Sequence, residues 1–224
     1  MKLTYLGHSG VSLHTAGHEV LIDPFLTDNP VAVHEPEAFA PSHVILTHAH
    51  GDHLGDTVAI AKRSGAQVVS SAEIVGYLGR SGLDGRAFNI GGGGDFPFGR
   101  VTFTPAWHSN SFPDGTYGGM PMGVIIESDG VTIYHAGDTA LFSDMALIAR
   151  RGIDVALLPI GDTFTMGPDD ALEAVRLIAP KIVIPIHYDT FEAIEQDASA
   201  FARAVSALGD ITCHPLAPGE ALDL

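Results

Sequence analysis

The chain has 224 residues, 27 acidic and 11 basic, for a net charge of −16, with 46% hydrophobic residues and one cysteine. At that length a single compact fold buries about 70% of the surface its unfolded chain exposes, so neither a disulfide nor a structural metal is needed to make a core. The charge disfavours sequence-independent attraction to nucleic acid or anionic lipid, and Cys213 alone forms neither an intramolecular disulfide nor a thiolate zinc site.

The amino terminus, MKLTYLGHSG, carries no basic segment followed by a long apolar run and no small-residue cleavage site. No apolar stretch approaches about 18 residues. A cytoplasmic protein without a membrane segment is the expectation.

In chain order, short β-type runs at 3–6, 11–14 and 20–22 are separated by turns at Gly7, Gly10 and Gly17, which predicts an antiparallel opening. A polar, proline-bearing connection over 27–42 leads to an apolar strand at 43–47, a loop, and a helix at 56–63. A strand at 67–70 and a helix at 72–79 follow. The four glycines at 91–94 lack the Lys and Ser/Thr of a phosphate-binding loop, so they read as a turn before a strand at 101–105.

The second half repeats the scheme, with strands at 123–127, 131–135, 155–159 and 182–187 and helices at 142–150, 168–178 and 192–208. Strand clusters with interspersed helices, without the strict alternation of a doubly wound sheet, predict an α/β (α+β) fold of two mixed sheets face to face, helices on the outer sides. No linker or low-complexity tract divides the chain, which predicts a single domain over 1–224.

The chemistry concentrates in Thr47-His48-Ala49-His50-Gly51-Asp52-His53, where four metal-competent side chains fall within six residues after a predicted strand. In an extended segment residues two apart face the same side, so His48 and His50 can bind one ion together. Beyond Gly51 the chain can fold back and aim Asp52 and His53 at a second. A lone histidine is usually a satisfied surface or core residue, whereas this clustering follows the rule for metal sites. Further ligands must come from other strand ends. His108, Asp138 and His187 each follow a predicted apolar strand, where sites gather in α/β sheets.

The order H-x-H-x-D-H, then His, Asp and His, resembles the metallo-β-lactamase superfamily, whose fold is a four-layer αβ/βα sandwich. The strings GHSG at 7–10, IDPFLTDNP at 22–30, THAHGDHLGDT at 47–57, YHAGDTALFSDM at 134–145, LPIGDTFTMGPDDA at 158–171 and PIHYDTF at 185–191 extend the likeness over nearly the whole chain. They resemble the metal-dependent hydrolases related to the L-ascorbate-6-phosphate lactonase group. The resemblance implies two divalent ions per chain, with His48, His50 and His108 on the first, Asp52, His53 and His187 on the second, and Asp138 bridging both. Imidazole and carboxylate without thiolate suit Zn²⁺, Mn²⁺, Fe²⁺ or Ni²⁺ alike.

The implied chemistry is hydrolysis of an ester, lactone or phosphoester-type bond of a small molecule, by a hydroxide formed when two ions lower the pKa of a shared water to about 7. Asp52, on the hydroxide's side, is a candidate to take its proton. His8 lies in a turn that by resemblance approaches the metals, and is a candidate to orient a substrate oxygen or stabilise an anion. Asp23 before Pro24 either holds the metal loop by hydrogen bonds to ligand imidazoles or caps a turn, and Asp162 has the same two readings. His14, His18, His34, His43 and His214 have no partners at ligand spacing, and His135 points away from Asp138 if its strand alternates.

Three rival functions compete with this one. A nuclease or phosphodiesterase of this fold usually needs a clamp domain or a basic exosite, and the chain has three lysines. Diiron oxidoreductases of the superfamily replace the second histidine of the motif by glutamate and fuse a flavin domain, whereas here that position is His50. A non-catalytic metal-binding protein would keep the ligands without turnover. The partner expected is a small-molecule substrate, not nucleic acid or membrane; a homo-oligomer is left open.

Overall fold

A computed structural model describes all residues from Met1 to Leu224. The amino half contributes strands β1 (Lys2–Gly7), β2 (Gly10–Thr15), β3 (His18–Ile22), β4 (His43–Ile45), β5 (Gln67–Ser71) and β6 (Gly85–Phe88), with helices α1 (Gly51–Leu54), α2 (Thr57–Ser64) and α3 (Ala72–Gly79). The carboxyl half contributes β7 (Gly93–Phe96), β8 (Gly99–Pro105), β9 (Met122–Ser128), β10 (Val131–His135), β11 (Val155–Pro159), β12 (Ile182–Ile186), β13 (Thr212–Cys213) and β14 (Ala221–Asp223), with α4 (Met145–Ile148), α5 (Pro168–Ile178) and α6 (Ala198–Ser206).

Two seven-stranded mixed sheets result, ordered β14-β1-β2-β3-β4-β5-β6 and β13-β12-β11-β10-β9-β8-β7. Strand alternation sorts the apolar side chains into layers. In β11, Val155 and Leu157 face the core between the sheets, while Ala156 and Leu158 face the helices. The inter-sheet core has 20 buried residues, a second of 18 lies under α4, α5 and α6, and a third of 14 lies under α2 and α3, which gives the four layers.

Helix α5 shows how the local signals agree. Ala171, Ala174, Val175 and Ile178 repeat at helical spacing and are buried, Pro168 opens the helix with Asp169 and Asp170 in its first turn, and Arg176 lies in the last. No helix is long and apolar enough to cross a membrane.

The departures from the sequence reading have local causes. The helix expected at 192–208 is a 3₁₀ turn, Glu192–Ile194, followed by α6, because Asp197 accepts the Ala200 amide at 2.8 Å and starts a helix of its own. The helix expected at 142–150 shrinks to α4 and a 3₁₀ turn. The strand expected at 43–47 stops at Ile45, since the Thr47 amide is captured by the Asp23 carboxylate at 2.9 Å. Gly93 and Gly94 are not turn residues but enter β7, paired with Thr102 and Val101.

Candidate metal centre

The candidate ligands lie beyond strand ends. His48 follows β4, His108 follows β8, Asp138 follows β10 and His187 follows β12, while α1, a single turn, carries Asp52 and His53. Strands β10, β11 and β12 are parallel, so their carboxyl ends share one rim. The first turn of α1 closes with the His53 amide donating to the His50 carbonyl at 3.0 Å. The turn ends at Gly55, with φ +41, where a Cβ would collide with the Pro24 carbonyl oxygen. This close approach seats the metal helix on the Asp23-Pro24 loop.

Asp138, 2% exposed, is the focus. Its Oδ2 lies 3.1 Å from His187 Nε2, 3.4 Å from His108 Nε2 and 3.8 Å from His48 Nε2, and its Oδ1 lies 3.3 Å from His53 Nε2. His50 joins through Nδ1, 3.0 Å from His48 Nε2. Ligand atoms of His48, His50 and His108 form one group within 4.8 Å of one another, and those of Asp52, His53, His187 and His8 form a second. The structure thus brings all seven expected ligands together.

Hydrogen bonding on the far sides of the rings fixes their tautomers. The Thr47 hydroxyl donates to Asp23 Oδ2 at 2.5 Å, so its oxygen accepts from His48 Nδ1 at 3.0 Å, and the His48 lone pair is left on Nε2. His53 Nδ1 donates to Asp23 Oδ2 at 2.8 Å, which turns its Nε2 toward Asp138. His53 Nε2 and Asp138 Oδ1 are buried without a hydrogen-bond partner. Converging imidazole nitrogens around a buried carboxylate, with orphaned atoms facing one another, fit divalent cations.

The electrostatics agree. Burial alone would lower the basicity of His53, but Asp138 and Asp23 on either side outweigh it and raise its pKa well above the ordinary value. Two carboxylates therefore demand positive charge at this ring. Burial would raise the Asp138 carboxyl, yet His187 and His53 hold it well below the usual carboxylate range. Burial, reinforced by the charge of His53, lowers His48, and burial lowers His108 despite Asp138.

His8 requires a correction. Burial pushes its pKa down to about 4 against the pull of Asp52, so the ring is neutral. A carboxylate only accepts, hence His8 Nε2 donates to Asp52 Oδ2 at 3.1 Å and Nδ1 accepts from the Thr190 hydroxyl at 2.9 Å. Both nitrogens are used and the side chain is fully buried, so His8 has no atom left to orient a substrate oxygen. It holds Asp52, whose side chain is 33% exposed.

Asp23 is fully buried and accepts from the Thr47 amide, the Thr47 hydroxyl and His53. Of its two readings, the structure places it against the ligand loop. Asp162 is the second correction. It is exposed with φ +68, its backbone closes a turn with Met166 and Thr165, and its carboxylate makes no hydrogen bond to any candidate ligand. His135 is buried but turned away, with Nε2 donating to the Ser9 carbonyl at 2.9 Å.

Two contributors carried no sequence signal. Asn110 Oδ1 accepts the Ala49 amide at 2.8 Å and its Nδ2 donates to the Gly118 carbonyl at 2.9 Å, which pins the segment between His48 and His50. Thr190 takes up the second ring nitrogen of His8. Neither has a ligand-type side chain, and only the folded hydrogen bonds reveal them.

Comparison with known proteins identifies the family. The family model of the beta-lactamase superfamily domain matches residues 18–188. A UPF0173 metal-dependent hydrolase of Thermus thermophilus is 53% identical over 224 residues, covering 100% of this chain and 99% of that protein. Another, from Exiguobacterium, is 53% identical over 213 residues, covering 93% of this chain and 95% of its own. The solved structure of Igni18, a metallo hydrolase of the archaeon Ignicoccus hospitalis, matches with a TM-score of 0.91 at 39% identity, covering 99% of this chain and 97% of that one.

Proposed function

The chain belongs to the beta-lactamase superfamily, and on that premise we propose that it is a metal-dependent hydrolase which uses two divalent ions to cleave an ester, lactone or phosphoester-type bond of a small molecule. The observation that carries this reading is Asp138, one buried carboxylate with the Nε2 atoms of four imidazoles within 3.8 Å. Divalent ions bound there acidify water and polarise the electrophile.

The chain's own residues divide the remaining work. His48, His50 and His108 would hold one ion, Asp52, His53 and His187 the other, and Asp138 would serve both. Asp23 orients His53 directly and His48 through Thr47. His8 fixes Asp52 by its Oδ2, which leaves Oδ1 without a protein donor and able to take the proton of the attacking water. Burial of His48, His53 and Asp138 closes the inner wall to bulk water.

The resemblance of these strings to the L-ascorbate-6-phosphate lactonase group makes a lactone the first bond to try. A net charge of −16 supports a small substrate, since a long polyanion is repelled by the surrounding surface. The test is a panel of lactones, esters and phosphodiesters run on the Mn²⁺, Zn²⁺ and Fe²⁺ forms, with the double variant H48A/H50A as control. Turnover by the wild type above that control is expected. If no compound is turned over faster by the wild type while its metals stay bound, the chain is a metal-binding protein instead.

A further inference from the structure

Seven large hydrophobic side chains are exposed, and five of them, Trp107, Tyr117, Met120, Phe164 and Phe191, are between 42% and 64% exposed on segments tied to the metal centre. Phe191 stands edge-on to His8, ring centroids 5.7 Å apart. Trp107 precedes His108 and is fastened to the Asp138 loop, its amide donating to Thr139 Oγ1 at 2.9 Å and its carbonyl accepting from Ala140 at 3.0 Å. The loop of Phe164 joins the same place, with the Met166 amide donating to the Thr139 carbonyl at 3.0 Å, and reaches the segment after Phe191 through Thr163 Oγ1 to the Ala193 carbonyl at 2.6 Å. Tyr117 and Met120 flank Gly118, which packs so closely on Ala49, between His48 and His50, that a Cβ there would collide with it.

Charge is distributed the other way. None of the eleven Lys and Arg residues lies on the segments that carry the ligands or these side chains, 7–10, 23–29, 47–56, 106–121, 136–144, 160–167 and 187–191. Several cations are engaged elsewhere, Arg63 with the Pro36 and Phe39 carbonyls, Arg100 with Asp95 and Lys181 with Asp154. A phosphate remote from the scissile bond is normally held by Arg or Lys. Exposed apolar side chains gathered on the segments around a site mark a ligand groove or an interface.

Resting on the hydrolase reading, we propose that the substrate is an uncharged ester or lactone with an apolar substituent, gripped by this collar, and not a compound carrying a phosphate away from the scissile bond. For a lactone, the oxygen of water bonds to the carbonyl carbon and the ring C–O bond breaks. One water proton passes through Asp52 to the departing ring oxygen, and the product is a hydroxy acid. The collar holds the substituent while the reacting carbonyl lies over the ligands.

Trp107 is the sole tryptophan, so its emission reports on the collar without any turnover. The experiment uses the metal-loaded protein with γ-butyrolactone, γ-nonalactone, a phosphorylated lactone, and the non-hydrolysable γ-lactam analogue of γ-nonalactone. The expected result is a kcat/KM at least about tenfold higher for γ-nonalactone than for γ-butyrolactone, a saturable shift of Trp107 emission by the lactam, and loss of the chain-length preference in Phe164→Ala with metal content unchanged.

Equal rates across chain lengths, or preference for the phosphorylated lactone, overturn the collar while leaving the hydrolase reading intact. No turnover of any of these lactones removes the lactone from the hydrolase reading, and lactam binding at Trp107 still decides the collar. An emission shift that follows protein concentration and not lactam makes the collar a contact between copies of the chain, and overturns the proposal.

Discussion

Asp23 and His53, 30 residues apart in the chain, are joined through Oδ2 and Nδ1 at 2.8 Å, with neither side chain exposed. The same oxygen accepts the Thr47 hydroxyl that in turn accepts from His48. One carboxylate therefore aims two ligand rings. Asp23→Asn keeps the shape and surrenders the charge, and affinity for the ions is expected to fall about 10- to 100-fold. Chelator competition measures this, with far-UV circular dichroism to establish that the fold persists; an unchanged affinity would remove Asp23 from the aiming role.

The bridging role proposed for Asp138 predicts a stoichiometry as well as a rate. Wild type is expected to hold about two ions, because seven ligands exceed what one tetrahedral ion accepts. Asp138→Asn should lower both the ion count and, by more than about a hundredfold, kcat. Asp162→Asn, on an exposed turn, should leave both within about threefold of wild type. Elemental analysis beside steady-state kinetics decides, and equal losses in the two variants would refute the ranking.

A residue that acts through Asp52 leaves a different kinetic trace from one that touches substrate. In His8→Ala the Asp52 carboxylate loses its donor, so affinity for the second ion is expected to drop by about tenfold, while KM at saturating metal stays near the wild-type value. Isothermal titration with the metal and KM at two metal concentrations separate the cases. A raised KM with both ions retained would return His8 to the substrate.

Asp154 gives a prediction away from the site. It accepts the Thr132 amide at 2.8 Å and Lys181 Nζ at 2.6 Å. Burial alone would raise its pKa, but Lys181 and the Thr132 amide outweigh it and lower it. A carboxyl depressed by folding contributes stability above its unfolded pKa of about 3.9, and that contribution is lost as pH falls through the folded value. Because Lys181 is 79% exposed, solvent screens the pair, and Asp154→Asn should cost about 1 kcal/mol at pH 7. Urea unfolding at pH 7 and pH 3 tests it, since the difference between wild type and variant should shrink at the lower pH.

Much of this was legible before folding because the signals were local. The H-x-H-x-D-H segment declares its chemistry by residue type, and the strands before His108, Asp138 and His187 declare themselves by apolar runs. The sheet order was not legible, since the pairing of β14 with β1 joins residues at opposite ends of the chain. Nor was the fate of His8, because a histidine in a glycine turn looks available until Asp52 and Thr190 are seen on its two nitrogens. Asp162 misled for the opposite reason. Its strand-end context matches that of Asp138, but its side chain is exposed and its backbone closes a turn of its own with Met166 and Thr165.

The donors are divided between the two sheets. His48, His50, Asp52 and His53 follow a strand of the first, and His108, Asp138 and His187 follow strands of the second. Neither half of the chain owns a complete set, so an ion captured here works as a rivet across the sandwich. Sliding one sheet against the other by a single residue, about 3.3 Å, would pull Asp138 out of reach of His53. The energy of ion capture is thereby spread over the whole register of the sandwich, and chelation should loosen hydrogen exchange in the strands beneath both rims together.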